Sequence, residues 1–189
     1  MKKIFLSLII VSIIILLSSN IYAYENSIYK IEVPSDYVEM GADSLKLFMK
    51  DMSNAIMIYC IDKKIDRDIS SISDAELKEI VNNMQSEKNN NLKIISKEKT
   101  KLGNANTIHL SVQENNSYGD MYLMTSNKHM VMVSILCGNK EELNSNEIIK
   151  IKESFKFKES FFDIEKIIKY GFVIIIIIYG IIRIKRRNG

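Results

Sequence analysis

The stretch that most restricts what this chain can become is YGFVIIIIIYGIIRI, from Tyr170 to Ile184, followed at once by Lys185, Arg186 and Arg187. As a helix rising about 1.5 Å per residue it covers about 22 Å, short of a ~30 Å hydrocarbon core. Including Ile167 and Ile168, and letting Lys169 and Arg183 snorkel to the interfaces, makes up the difference. Residues 166–184 therefore read as one C-terminal transmembrane helix and 185–189 as a cytoplasmic basic tail. A buried core helix is the other use of such a run, but it would not end in clustered basic residues.

The N-terminus, MKKIFLSLIIVSIIILLSSNIYA, has a short basic start, an apolar core and a polar exit, the layout of a signal peptide over residues 1–23. Cleavage after Ala23 is expected; Ile21, large for the −3 position, keeps an uncleaved anchor as the alternative. No Cys follows the apolar core, which excludes a lipoprotein anchor. The two ends predict a single-pass protein of the cell membrane, with residues 24–165 extracytoplasmic as one domain and the C-terminus in the cytoplasm.

Charge follows the same division. The chain carries a net +3, yet all 23 Asp and Glu lie within residues 24–165, whereas eight of the 26 Lys and Arg lie outside. The middle is net acidic, so a nucleic-acid partner is not expected.

Along the middle, Ile28, Ile31 and Val33 predict a first strand ending at Pro34, with a turn at Ser35 and Asp36. Leu45, Phe48, Met49 and Met52 recur at helical spacing after Asp43 and predict a helix. Ala55 to Ile61 reads as a strand apolar on both faces, which implies layers on both sides of a sheet. Asp62 to Ser73 reads as a loop. Ser73 and Glu76 form a capping box for a helix carrying Leu77, Ile80, Val81 and Met84 on one stripe. Four meander strands follow: Leu92–Lys99, Thr107–Glu114, Met121–Ser126 and His129–Cys137, the last two joined by a two-residue turn at Asn127 and Lys128. That turn sets Met124 opposite Val131 and Leu123 opposite Met132. Asn144 and Glu147 open a last helix through Ile148, Ile151 and Phe155, and KFKESFF leads to the span.

The succession IEVPSDY, AIMIYC, DAELKEIVNNM, four meander strands and ESFKF, over Ile28 to Phe157, resembles the PsbP/Mog-type family. The resemblance implies an α+β fold, an antiparallel β-sheet flanked by helices as an α/β/α sandwich, to which the C-terminal span is an addition. Family members range from an extrinsic photosystem subunit to a Ran-binding protein and exported bacterial proteins, so it implies scaffold or binding roles, and its motifs transfer no functional residue.

Catalytic motifs are missing: there is no G-x-S-x-G, H-E-x-x-H, C-x-x-C or Gly-rich phosphate loop. His109 shares a strand face with Thr107 and Ser111, where a solvated or hydrogen-bonded ring is the ordinary outcome. His129 and Cys137 share a strand and a parity, but stand about 27 Å apart and form no dyad. Cys60 and Cys137 are a candidate disulfide in an oxidising exterior, or else two buried thiols. Met121, Met124, Met130 and Met132 fall on both faces of the hairpin, which suits packing better than Cu(I). Asp66, Asp68, Glu141 and Glu142 lack the ligand series of a calcium loop.

The sequence therefore leads to a non-enzymatic binding or accessory role for the exported domain, with no cofactor, the membrane as one partner and a membrane or cell-surface protein as another. Two rivals remain: an exported hydrolase without a recognisable motif, and a small subunit of a membrane complex acting through its span. Gly171 and Gly180 are too far apart for a G-x-x-x-G contact, which gives the latter no direct help.

Overall fold

A computed structural model describes residues 21–86, 92–159 and 161. The candidate signal peptide up to residue 20, the candidate span at 166–184 and its flanking Lys169, Arg183, Lys185, Arg186 and Arg187 lie outside the described residues. Among the described residues no helix is long and apolar enough to cross a membrane.

In chain order the elements are β1 (Ile21–Glu25), β2 (Tyr29–Pro34), β3 (Val38–Ala42), β4 (Leu45–Met49), β5 (Ala55–Asp62), a 3-10 turn (Ile69–Ser71), α1 (Asp74–Ser86), β6 (Leu92–Leu102), β7 (Ala105–Glu114), β8 (Ser117–Thr125), β9 (His129–Cys137), α2 (Lys140–Leu143), α3 (Asn146–Ser154) and β10 (Lys156–Phe157). The main sheet is antiparallel in the order β3-β4-β5-β9-β8-β7-β6, and a small sheet has the order β1-β2-β10. The molecule is mostly antiparallel sheet with few helices. β1 begins upstream of the expected cleavage point: Ile21, Tyr22 and Ala23 pair with Pro34, Val33 and Glu32.

Local chemistry places several elements where the residues point. Ser73 Oγ accepts from the Glu76 backbone N–H at 3.3 Å and Glu76 Oε2 accepts from the Ser73 N–H at 2.7 Å, closing the capping box that starts α1. The Ser126 N–H donates to the His129 carbonyl at 2.9 Å across the two-residue turn, and Met124 stands opposite Val131. α3 is capped one residue later than Asn144, by Ser145, whose Oγ accepts from the Ile148 N–H at 3.3 Å.

The helix expected after Asp43 is a β-hairpin instead. Leu45, Phe48, Met49 and Met52 satisfy a helical spacing, but the side chains alternate: Lys46 and Phe48 are buried, whereas Leu45 faces out and Met52 is fully exposed. Gly41 helps fix the hairpin, with φ of +91° and only 2.2 Å between any added Cβ and the Leu45 carbonyl oxygen. Lys46 stays charged inside because Glu39 Oε1 lies 2.8 Å from its ammonium, which also sits 4.7 Å from the centre of the Tyr24 ring.

The expected layers on both sides are present, but not over the whole sheet. The inner face, with Phe48, Ile56, Ile58, Val133, Ile135 and Met124, is closed by the small sheet together with α2 and α3. On the outer face the 3-10 turn and α1 bury Ile108, Leu110 and Val112 of β7. Beyond β8 no element among the described residues covers it. The register carries one row across the sheet through Ile108, Leu123, Met132, Tyr59, Leu45 and Ala42, and a second through Leu110, Met121, Ser134, Met57, Leu47 and Met40. Tyr59 and Leu45 in the first row and Met40 at the end of the second are exposed, as is Val38 beside them on the same face.

The hairpin and the helix predict opposite responses at Met52, which only the helix would bury, while Phe48 is buried in either and serves as the control. Phe48→Ala should cost about 3–5 kcal/mol in denaturant unfolding, whereas Met52→Lys should change stability by no more than about 0.5 kcal/mol. A loss above about 2 kcal/mol at Met52 would contradict the hairpin.

Candidate functional site

Apart from the Lys46–Glu39 pair at its β3–β4 edge, the inner face gathers its charged groups at the β6–β8 end. The register sets His109 opposite Glu98 on one side and Tyr122 on the other, and Ser111 opposite Asp120. His109 Nδ1 lies 3.0 Å from Glu98 Oε1, and Nε2 lies 2.8 Å from Asp120 Oδ1. The ring stacks on Tyr122 with centroids 4.7 Å apart. Ser111 Oγ donates to the same Asp120 oxygen at 3.1 Å, while Lys152 of α3 donates to Oδ2 at 2.7 Å.

Asp120 is buried, and burial alone would raise its pKa; hydrogen bonds from His109 and Lys152 outweigh that and hold it at about 2. Burial would likewise lower His109, but its bonds to Asp120 and Glu98 win and the pKa is raised. Both ring nitrogens are thus engaged by carboxylates on opposite edges of the ring. They leave no lone pair facing a nucleophile and do not converge on one ion. The sequence placed His109 correctly on its face, but missed its partners.

Beside this network a cleft of about 560 Å³ opens between the β6–β7 turn and the end of α3. Leu102, Tyr122 and Phe155 form its floor, and Lys101, Lys152, Glu153 and Lys156 stand around it. Its walls are fixed. Gly103 has φ of +55° and rests so close to the Phe155 carbonyl that an added Cβ would sit 1.7 Å from the oxygen. The Asn104 amide donates to the Phe157 carbonyl and accepts from the Phe157 N–H, each at 2.8 Å.

His129 has a parallel arrangement at the opposite end of its hairpin. Its Nε2 lies 3.0 Å from Asp62 and its Nδ1 2.7 Å from Glu159, which also accepts from Ser126 Oγ. These contacts tie the segment after β10 to the β8–β9 turn. Burial alone would raise the Glu159 pKa; the bonds from Ser126 and His129 outweigh it and the pKa is lowered.

Cys60 and Cys137 are both buried and free. Cys60 stands opposite Val131, six residues along β9 from Cys137, which is about 20 Å at the strand rise and far beyond the reach of a bridge. Burial pushes the Cys137 thiol up to about 11, as expected of an inert small hydrophobe. Met124 is buried on the inner face; Met121, Met130 and Met132 belong to the outer face. Asp68 accepts from the Ser70 N–H and caps the 3-10 turn. Among the described residues no group of three or more His, Cys, Asp and Glu has metal-binding geometry.

No family model and no curated protein matches the sequence. Among solved structures, the solution structure of cyanobacterial PsbP (CyanoP) from Synechocystis sp. PCC 6803 is similar, with a TM-score of 0.54 at 9% identity over 74% of this chain and 93% of that one. The fold is PsbP-like. A crystal structure from Bacteroides thetaiotaomicron VPI-5482 gives a TM-score of 0.49 at 12% identity, covering 76% of this chain and 50% of that one. At such identities the PsbP-like likeness concerns the fold alone.

Two outcomes test the network. The His109 pKa is higher folded than unfolded, so its contribution is complete below about pH 6.5 and is lost as pH rises through the raised value. His109→Gln should remove that part of the alkaline loss in unfolding free energy measured from pH 5 to 9. Asp120 has the opposite sign, its contribution present above about pH 3.9 and lost as pH falls through about 2. Lys152→Met, which leaves the buried carboxylate one donor short, should cost about 2 kcal/mol at pH 7, and no loss would show that the ion pair is dispensable.

Proposed function

We propose that this chain is a single-pass, membrane-tethered extracytoplasmic domain with a non-enzymatic accessory role, holding a neighbouring membrane or cell-surface protein against the open outer face of its main sheet. The observation that carries this reading is the run of β3, β4, β5 and β9 side chains that no described residue covers: Val38, Met40, Leu45 and Tyr59 exposed, with Leu47, Met57 and Met132 half-buried between them. Contiguous apolar surface of this kind marks interaction sites on soluble domains. Its methionines can repack against a partner, because an unbranched thioether adapts its shape at little strain. The tether puts the partner close: the domain's last described residues precede the candidate span by only a few positions.

The non-enzymatic part of the reading draws on the histidines. His109 and His129 each present both ring nitrogens to carboxylates, an arrangement that orients and binds charge and does not activate a nucleophile.

The test is site-specific photocrosslinking of the full-length chain in intact membranes, with the reactive group at Leu45, at Tyr59, or at the exposed Glu79 of α1. The expected result is one shared protein adduct from positions 45 and 59 and none from 79. Equal adducts from all three positions, or none from any, would reject the outer face as the docking surface.

A further inference from the structure

The cleft beside Lys152 lies on the inner side of the sheet, away from the face that the accessory role uses. We propose that it is a binding site for an amphipathic organic anion: one carboxylate, sulfonate or phosphate group on an aromatic or branched apolar body.

Three properties set that chemistry. The first is size, since about 560 Å³ falls within the ~300–1,000 Å³ of small-molecule sites. The second is the division of the lining into floor and rim. Leu102, Tyr122 and Phe155 line the base, each with only a small edge of its side chain reaching the cleft, and what that edge presents is chiefly apolar and aromatic carbon. The rim carries Lys101, Lys152 and Lys156, with Glu153 the one carboxylate among the lining residues. Residues 24–165 are net acidic, so this cluster of ammonium groups runs against the charge of the domain around it. Low-dielectric walls focus such a field on an entering anion. Lys152 is partly neutralised by Asp120, but Lys101 and Lys156 form no ion pair among the described residues and are exposed at the mouth. The third property is rigidity. The contact of Gly103 with the Phe155 backbone and the paired hydrogen bonds between Asn104 and Phe157 hold the two walls, so a ligand need not order the cleft.

A single anionic group fits better than a polyphosphate, because Glu153 opposes further negative charge.

The experiment uses the full-length chain in zwitterionic lipid nanodiscs. It is titrated calorimetrically with 2-naphthoate, 4-phenylbutyrate and 2-naphthyl phosphate, with 2-naphthamide as the uncharged counterpart and empty nanodiscs subtracted. The site predicts saturable binding of at least one anion, at least tenfold tighter than the amide. The double variant Lys101→Glu/Lys156→Glu should weaken it at least tenfold while leaving the melting temperature unchanged, and Lys101→Arg/Lys156→Arg should retain it. Leu45→Lys, on the opposite face, should not affect binding, so failure of the cleft and failure of the proposed accessory role are separate results. Equal affinity for acid and amide, indifference to the charge reversal, or no saturable binding by any of the three anions would overturn the proposal.

Discussion

A sheet whose central strands are apolar on both faces has two surfaces to remove from water, and this constraint organises everything described above. β5, β8 and β9 present Ile, Val, Met and Leu in both directions. The inner surface receives the small sheet, α2 and α3, and closes into one core. Among the described residues the outer surface receives only the 3-10 turn and α1, which reach across β6, β7 and β8. At roughly 25 cal/mol for each Å² of apolar area left in water, several uncovered large side chains are a standing cost unless something else covers them. The open area is thus continuous with a core and is not a scatter of surface residues.

Charge has an equally specific place. Asp120 is buried at the margin of the inner core and is held ionised by a ring from its own sheet and an ammonium from α3. Removing either partner would strand a carboxylate in poor solvent, so the network pins α3 to one position on the sheet. The same placement of α3 opens the cleft beside it, because its C-terminal end must turn at Phe155 to deliver β10 to the small sheet. The two free edges of the main sheet also differ. β6 carries Lys97, Lys99 and Lys101 and a register break near Ile94, features that deter strand addition, while β3 carries Val38 and Met40 next to the open face.

What the residues reveal directly depends on how local the determining chemistry is. The capping box at Ser73 and the turn at Asn127 and Lys128 are decided within four residues, and both are legible. The hairpin of β3 and β4 is not, because Leu45, Phe48 and Met49 satisfy two periods at once and the deciding contact, Gly41 against the Leu45 carbonyl, is steric. The candidate site is legible in part. Glu98 and His109 are equidistant from the turn at Gly103 and Asn104, so counting outward from that turn pairs them, and the next hairpin adds Asp120. Lys152 could not be found this way, since nothing local to α3 says which strands it meets. The small sheet is equally hidden, because it joins Tyr29 and Lys30 to Lys156 and Phe157 through the whole length of the domain.

The account rests most heavily on the outer face being covered by a partner in the membrane and bare without one. Methionine oxidation by dilute peroxide, read by mass spectrometry on intact membranes and on the purified chain, measures this directly. Met52, fully exposed in the link between β4 and β5, reports reagent access, and Met124, fully buried, reports that the fold is intact. The account predicts that Met40, Met57 and Met132 are protected in membranes and oxidise after purification, with Met52 reacting in both. Equal oxidation of the three in both preparations would mean that nothing covers the face, and would contradict the account.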